Sequence, residues 1–366
     1  MKKIFLAGMS AVLAFACTEK PENKPMYTLF VGTYTDGDSE GIYSYTFNAN
    51  SGELSNQKLM AKITNPSYLT ISKDKKNLYA VQETADFDSL GGGVTAFAIK
   101  DGMLELQNSM GTQGAHPCHV SLSGDGKLAV ANYTGGNVAV FSLKADGALG
   151  NDPQIIDHKI LDSVKTSHAH MAHFDAYGLM VTDLGLDAIK RYEEKDGTYV
   201  PAEQATLPFV NGAGPRHFTY GKNGKMLYVI NELNSTISVF ENVENGNYQE
   251  VQVMPTLDAN FDGESFCADI HLSLDGKFLY GSNRGENTIV IYSVDETSGK
   301  LELVGRESVH GDWPRNFTID PTGEFLLVAN QKSSNIAVFK RDVEKGTLTF
   351  LNEIKHPIPV CLVFEL

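Results

Sequence analysis

The sequence predicts an all-β protein, a seven-bladed β-propeller of four-stranded antiparallel blades closed into a ring by its C-terminal strand. Three observations carry this. First, segments of one pattern recur: LFVGTY (29–34), LYAVQE (78–83), LAVANY (128–133), LMVTDL (179–184), LYVINE (227–232), LYGSNR (279–284) and LLVANQ (326–331). Their fifth residues, Thr33, Gln82, Asn132, Asp183, Asn231, Asn283 and Asn330, are 49, 50, 51, 48, 52 and 47 positions apart. Second, turn signals separate the apolar runs, with Asp-Gly at 125–126 and 275–276, Asn-Gly at 223–224 and Thr-Gly at 322–323. Third, no segment sustains a helical period.

Within a repeat the elements follow one order. A short apolar strand such as HVSLS or NFTID opens the unit and a Gly turn ends it. The LYVIN-type strand follows, then a polar gap. A β-branched strand ending in an aromatic comes next (NVAVF, TISVF, TIVIY, NIAVF). A second turn leads to a fourth strand such as GKLELV or GTLTFL. Four strands in about 50 residues is the sequence mark of a propeller blade. Residues 27–366 thus form one domain. The strand IPVCLVF (358–364) is expected to pair with the N-terminal blade, because closure removes the unpaired edges of an open array.

Composition narrows the function. Lys and Arg number 30 against 45 Asp and Glu, a net charge of −15. That excludes a nucleic-acid footprint and a polybasic membrane-surface mode. A hydrophobic content of 42% excludes wholesale disorder. Cys17, Cys118, Cys267 and Cys361 form no CxxC, so neither a disulfide framework nor a structural zinc site is expected.

The N-terminus has a secretory pattern: Lys2 and Lys3, then an apolar run from Ile4 to Ala16 that is too short to span a bilayer. Residues 1–16 are expected to be a signal peptide, Cys17 the lipidated residue, and 17–26 a tether. The protein is then an exported bacterial lipoprotein, on the periplasm-facing or cell-surface side, touching membrane only through its lipid. Ordinary signal cleavage at the same bond is one alternative. Translation from Met26, which would leave the protein cytoplasmic, is another.

Blades present equivalent residues at equivalent depth. Eight residues before the first turn of each blade stand Ser67, Cys118, His170, Arg216, Ala268 and Arg315. Immediately after the repeat's Asn, Asp or Gln stand Tyr34, Glu83, Tyr133, Leu184, Glu232, Arg284 and Gln331. One register begins a strand and the other ends its antiparallel neighbour, so both belong to one rim. Three of the chain's six arginines fall in them. The rim therefore gathers His170, Arg216, Glu232, Arg284, Arg315 and Glu83, and residue type varies there from blade to blade. The repeated asparagines beside them read as caps on strand-end backbone groups. The arginine group suits an anion, because the guanidinium fork matches carboxylate and phosphate.

Histidines cluster at His116 and His119 in HPCH, and at His168, His170 and His173 in SHAHMAH. No carboxylate cluster completes a metal site, and none is expected. His-Pro gives HPCH an extended start that aims His116 at the channel. Trp313, the single Trp, is assigned to blade packing in preference to sugar stacking. No cofactor is expected: GGG (91–93) precedes no helix, GAGPRH (212–217) lacks strand-then-helix context, and there is no G-x-S-x-G elbow.

The strings VGTYT, NPSYL, HPCHV, ANYTGGNVAVF, SHAHM, GAGPRHF, LYVINELNSTISVF, SNRGENTI and PRNFTIDPTGEFLLVANQ are similar to those of the seven-bladed propeller lactonases. That family includes the propeller-type 6-phosphogluconolactonases and, more distantly, carboxy-cis,cis-muconate cyclase. The resemblance covers essentially all of 27–366. It implies hydrolysis of a sugar-acid lactone, with His170, Arg216, Glu232 and Arg284 as catalytic residues. Arg315, Glu83, His116, His168, Asn231 and Gln331 complete a substrate-binding set for an anionic small molecule, and the active unit is expected to be a monomer. Glu232 is expected as general base and His170 as general acid, with the two roles interchangeable at this level. Two alternatives are a lactonising cycloisomerase of muconate type and a non-catalytic exported propeller that binds carbohydrate or protein.

Overall fold

The computed structural model describes residues 24–365 except 245. Twenty-eight strands fall into seven four-stranded antiparallel sheets, with no helix among the described residues. Blades 2 to 7 occupy 69–111, 117–157, 169–208, 215–255, 266–308 and 314–355. Blade 1 joins both ends of the chain. Its innermost strand is Pro359–Phe364, followed outward by Met26–Thr33, Gly41–Asn48 and Glu53–Lys62. Leu29 faces Phe364 and Val31 faces Leu362 in that closing pair. The ring thus closes as the repeat pattern requires. The folded unit starts slightly earlier than position 27: Met26 already lies in the strand, and Lys24 pairs with Glu324 of blade 7.

The second strand of each blade is apolar on both faces because each blade is packed between two others. Met226–Asn231 and Phe325–Asn330 are buried at every position. Outermost strands alternate, as in Leu348–Lys355, because one face meets solvent. The tyrosine of the LY segments has a repeated task. Tyr79, Tyr228 and Tyr280 donate to the carbonyls of Gly147, Gly299 and Gly346 in the next blade, each at 2.8 Å. Gly299 and Gly346 are needed twice over. Their φ values are +67° and +73°, and a Cβ would lie 2.3 Å from Met226 and Phe278 respectively.

The repeat asparagines are architectural. The side-chain amides of Asn132, Asn283 and Asn330 donate to the carbonyls of Thr112, Thr256 and Val309, where the chain leaves the preceding blade. Asp183 fills the same position in blade 4 and instead accepts from His158, Ser167 and the His168 amide.

Candidate active site

The two registers meet at one rim. The amides of Glu83, Tyr133, Glu232 and Gln331 donate to the carbonyls of Asn65, His116, Gly214 and Trp313. Each of these acceptors lies two positions before the first-register residue of its blade. Four of the acceptor or equivalent residues precede proline with positive φ: Asn65 (45°), His116 (55°), Gly214 (63°) and Trp313 (68°). His116 therefore departs from the extended conformation expected before Pro117. The blade-start turn, not the dipeptide preference, sets its backbone.

Past this turn the innermost strands carry a β-bulge. Pairing skips Cys118, His170, Arg216 and Arg315, as in Pro215↔Asn231 followed by His217↔Ile230. A bulge breaks the strict alternation of faces. Arg216 and His217 are thereby both available to the channel.

Glu232 organises the site. Its Oε2 lies 2.8 Å from Arg216 Nε and 2.9 Å from Arg284 Nη2. The Arg216 side chain is 2% exposed, that of Arg284 6% and that of Glu232 15%. Arg216 also donates to the Ala268 carbonyl, and Arg284 to those of Phe266 and Cys267. Arg315 approaches Glu83 Oε2 at 3.6 Å and lies over the Tyr34 ring. The same Glu83 oxygen accepts from Tyr34 Oη at 2.8 Å and from Ser67. Three arginines and two glutamates thus leave one net positive charge.

Burial pushes the Glu232 carboxyl up, but Arg284, Arg216 and Arg315 outweigh it and hold its pKa below the ordinary value. Burial lowers Arg284 to about 10, against the opposing pull of Glu232. His170 is buried, and desolvation followed by the field of Arg216 drives its pKa well below the ordinary imidazole value. Its ring meets Tyr133 edge-on at 5.7 Å. At neutral pH the site therefore holds a neutral imidazole in the field of Arg216 and an ionised carboxylate between Arg216 and Arg284.

The remaining expected residues spread outward. His168 stacks on Tyr133 at 4.5 Å and 18°. His116 stays at the rim, its Nδ1 on Thr134 Oγ1 at 2.9 Å, outside the ionic cluster. Gln331 presents an enclosed Oε1 with no protein partner. Asn231 donates to Thr236 and Ser238, and its enclosed Oδ1, like that of Gln331, has no protein partner. Trp313 carries Lys332 Nζ 3.2 Å from its ring centroid and Arg284 at 5.3 Å, so it packs cations as well as Phe266. Cys17 lies outside the described residues. Among the described residues no group of three His, Cys, Asp or Glu side chains is disposed to hold a metal.

Tyr34, Ser67 and Tyr133 stand in the same two registers and line the rim, where Tyr34 and Ser67 donate to Glu83 and Tyr133 packs against His168 and His170; their neutral types give no signal in sequence. The next position in each blade gives Tyr68, His119, Met171, His217, Asp269, Asn316 and Cys361. These form a deeper layer of the channel; counting reaches the positions, but a regular strand would turn them to the other face.

Comparison with known proteins matches this geometry to a family. The model of the lactonase family with a seven-bladed β-propeller matches residues 28–364. A Bacillus subtilis protein named 6-phosphogluconolactonase is 37% identical, covering 92% of this chain and 98% of its own. A Formosa agariphila protein of the same name is also 37% identical, over 87% of this chain and 94% of its own. The solved structure of a periplasmic gluconolactonase from Pseudomonas aeruginosa superposes with a TM-score of 0.87 at 35% identity, covering 93% of this chain and 99% of that one. With its ring, its rim and its sequence in agreement, this chain belongs to the seven-bladed β-propeller lactonase family.

Proposed function

We propose that the protein hydrolyses a sugar-acid δ-lactone, with 6-phosphoglucono-1,5-lactone as the leading substrate, and that His170 is its general base. The observation that carries this is the clamp of Glu232 between Arg216 and Arg284, with a neutral His170 in the field of the same Arg216. A carboxylate held by two guanidiniums is a weak base, whereas a neutral imidazole can take a proton from water. This orders the two roles opposite to the first expectation from sequence.

In this scheme water attacks the lactone carbonyl while His170 accepts its proton. Negative charge develops on the carbonyl oxygen, facing guanidinium donors that are already fixed in place. A donor of that kind typically contributes about 3–4 kcal/mol. The tetrahedral intermediate collapses, the ring C–O bond breaks, and imidazolium returns the proton to the leaving alkoxide. The product acid then ionises to carboxylate and a proton. Glu232 keeps the two arginines from repelling each other, and Arg315 is free to meet a phosphate or hydroxyl of the substrate.

We also infer that the chain is exported and anchored through Cys17, and that it acts as a monomer. The leader composition supports export, as does the likeness to a protein named a periplasmic gluconolactonase. The ring of blades closes within one chain, so no blade is left for a second copy to complete.

The test is hydrolysis of 6-phosphogluconolactone and of gluconolactone by the purified chain, against spontaneous opening, beside His170→Ala and Arg216→Ala. Turnover lost in both variants is expected. No rate above background on either lactone would refute the assignment.

A further inference from the structure

Beneath the ionic rim, Asp269 joins three blades. Its Oδ1 accepts from His217 Nδ1 at 2.9 Å and from the Ile270 amide. Its Oδ2 accepts from His271 Nε2 at 3.0 Å, from Asn316 Nδ2 at 2.5 Å and from the Phe317 amide at 3.3 Å. Every neighbour of this carboxylate is a donor, so the His217 Nδ1 must carry hydrogen. Its Nε2 is then a lone pair directed into the protein.

That Nε2 is enclosed and has no protein partner; the same is true of His170 Nδ1 and His119 Nδ1. The three rings are adjacent. His170 and His217 lie 5.1 Å apart at 69°, and His119 and His217 lie 5.7 Å apart at 74°. His170 Nε2, in contrast, makes no hydrogen bond to protein and is not among the enclosed atoms. Enclosed polar atoms normally find a partner, and ordered water supplies it where two to four polar groups converge.

We propose that Asp269 and His217 are positioning residues that fix the tautomer of His170 through one enclosed water. Asp269 holds the proton of His217 on Nδ1. The His217 Nε2 lone pair accepts from the water, and the water accepts from His170 Nδ1–H. His170 Nε2 is left as a lone pair open to the channel. The opposite tautomer would present Nε2–H, which cannot take a proton from attacking water.

Burial, and then Arg216, keep His217 neutral with a pKa near 4 in spite of Asp269. The other titratable groups felt by this trio are His271, His173, Arg284 and Arg315. His271 opens toward a cavity of about 1040 Å³ at the far mouth of the channel, also lined by His119 and Asn316. The control of His170 therefore comes from the side opposite the substrate. This inference rests on His170 being the base.

The test is ¹⁵N NMR of histidine-labelled protein without substrate, with His170→Gln for assignment. His170 is expected to show a protonated Nδ1 and a bare Nε2. Asp269→Asn should turn the chain over, because the Asn316 amide and the Phe317 N–H keep the new carbonyl at the Oδ2 position and leave the new NH2 facing His217 Nδ1. His217 then carries hydrogen on Nε2, and His170 becomes the Nε2–H form. His217→Phe removes the acceptor and should mix the tautomers. Both variants should lower kcat about 100-fold or more with KM within about threefold, as loss of an orienting carboxylate does elsewhere. A purely structural keystone would lower the melting temperature without moving the tautomer.

An Nε2–H His170 in the native chain, or a tautomer unchanged in both variants, overturns the proposal. Because the NMR readout needs no substrate, it also separates the two failures. A switch in tautomer with no lactone turnover by the native chain would overturn the assigned function and support the coupling.

Discussion

Glu232 Oε2 lies between Arg216 Nε and Arg284 Nη2, at 2.8 and 2.9 Å, and is the shared counter-charge of two nearly buried guanidiniums. Removing the charge while keeping the shape leaves those two cations facing each other. Breaking a buried pair by removing one partner destabilises by about 3–5 kcal/mol, and the Gln amide, still an acceptor, belongs at the low end. Glu232→Gln should therefore cost about 3 kcal/mol in urea unfolding. It should also lower kcat/KM about 100-fold or more, since the oxyanion donors lose their placement. A variant with native rate and native stability would remove Glu232 from both roles.

Arg315 is the least committed of the three arginines. Its contact with Glu83 is 3.6 Å long, and that glutamate oxygen is already served by Tyr34 and Ser67. It is the guanidinium best able to take a second anion. A hydrogen bond to a charged group contributes about 1.5–3 kcal/mol, or roughly 10- to 100-fold in affinity. Arg315→Gln should raise KM for the phosphorylated lactone by about that factor and change KM for gluconolactone by less than about threefold. Steady-state kinetics on the two substrates decide it. An equal loss on both would place Arg315 at the reacting carbonyl instead.

The ring, its closure and the ionic rim were legible in the sequence because a propeller converts periodicity into depth. Residues at one register share one level, so Arg216, Glu232 and Arg284 could be grouped without any contact being known. What could not be read is how side chains leave the strand. The bulge at Arg216 sets His217 beside it in the channel, against the alternation that a regular strand would impose. For this reason the layer of His119, His217 and Asp269 was missed. The pre-proline turn hid a second feature: His116 has positive φ, where the His-Pro dipeptide alone predicts extension. For Asn231 the sequence could not divide the amide between fold and ligand: its Nδ2 serves Thr236 and Ser238, while its Oδ1 has no protein partner.

Stability should fall early on acidification. Burial lowers the pKa of His217 and of His356 to about 4, and drives His119 and His170 well below the ordinary value. A histidine with a depressed folded pKa binds its proton more readily when unfolded. Its destabilising effect starts near the unfolded value of about 6.5 and grows until the folded pKa is reached, at about 1.4 kcal/mol per pH unit for each group. His271 opposes this, because Asp269 outweighs burial and raises its pKa. Its stabilisation is present in acid and lost as pH rises through that raised pKa. The lowered carboxylates Glu232 and Asp269 contribute a further loss only below about pH 4. Urea midpoints should therefore drop between pH 6.5 and 5, before any ordinary carboxylate titrates. A midpoint flat across that range would show that the histidines are not held neutral. Lactonase activity should likewise persist below pH 6.5, since His170 stays unprotonated there.

Ring closure should be separable from catalysis. Phe47 of blade 1 is fully buried and meets Phe364 of the closing strand at 5.2 Å and Phe325 of blade 7 at 5.5 Å, both edge-on. These three rings fasten the two ends of the chain to the last blade. Truncating a buried Phe to Ala costs about 3–5 kcal/mol, through lost burial and the cavity left behind. Of the ionic residues only Arg315 belongs to blade 7, on its innermost strand; Glu83 is in blade 2, His170 in blade 4, Arg216 and Glu232 in blade 5, and Arg284 in blade 6. Phe364→Ala should accordingly lower the urea midpoint by that amount while kcat and KM of the folded protein stay within about twofold. Deleting Pro359–Phe364 altogether should do more. It bares the edge of Met26–Thr33, whose Leu29, Phe30 and Val31 are buried in the closed ring, and an open apolar edge strand pairs with other chains. Size-exclusion chromatography should then show association in place of monomer. A monomeric, fully active truncated chain would mean that blade 1 holds the ring shut without its innermost strand.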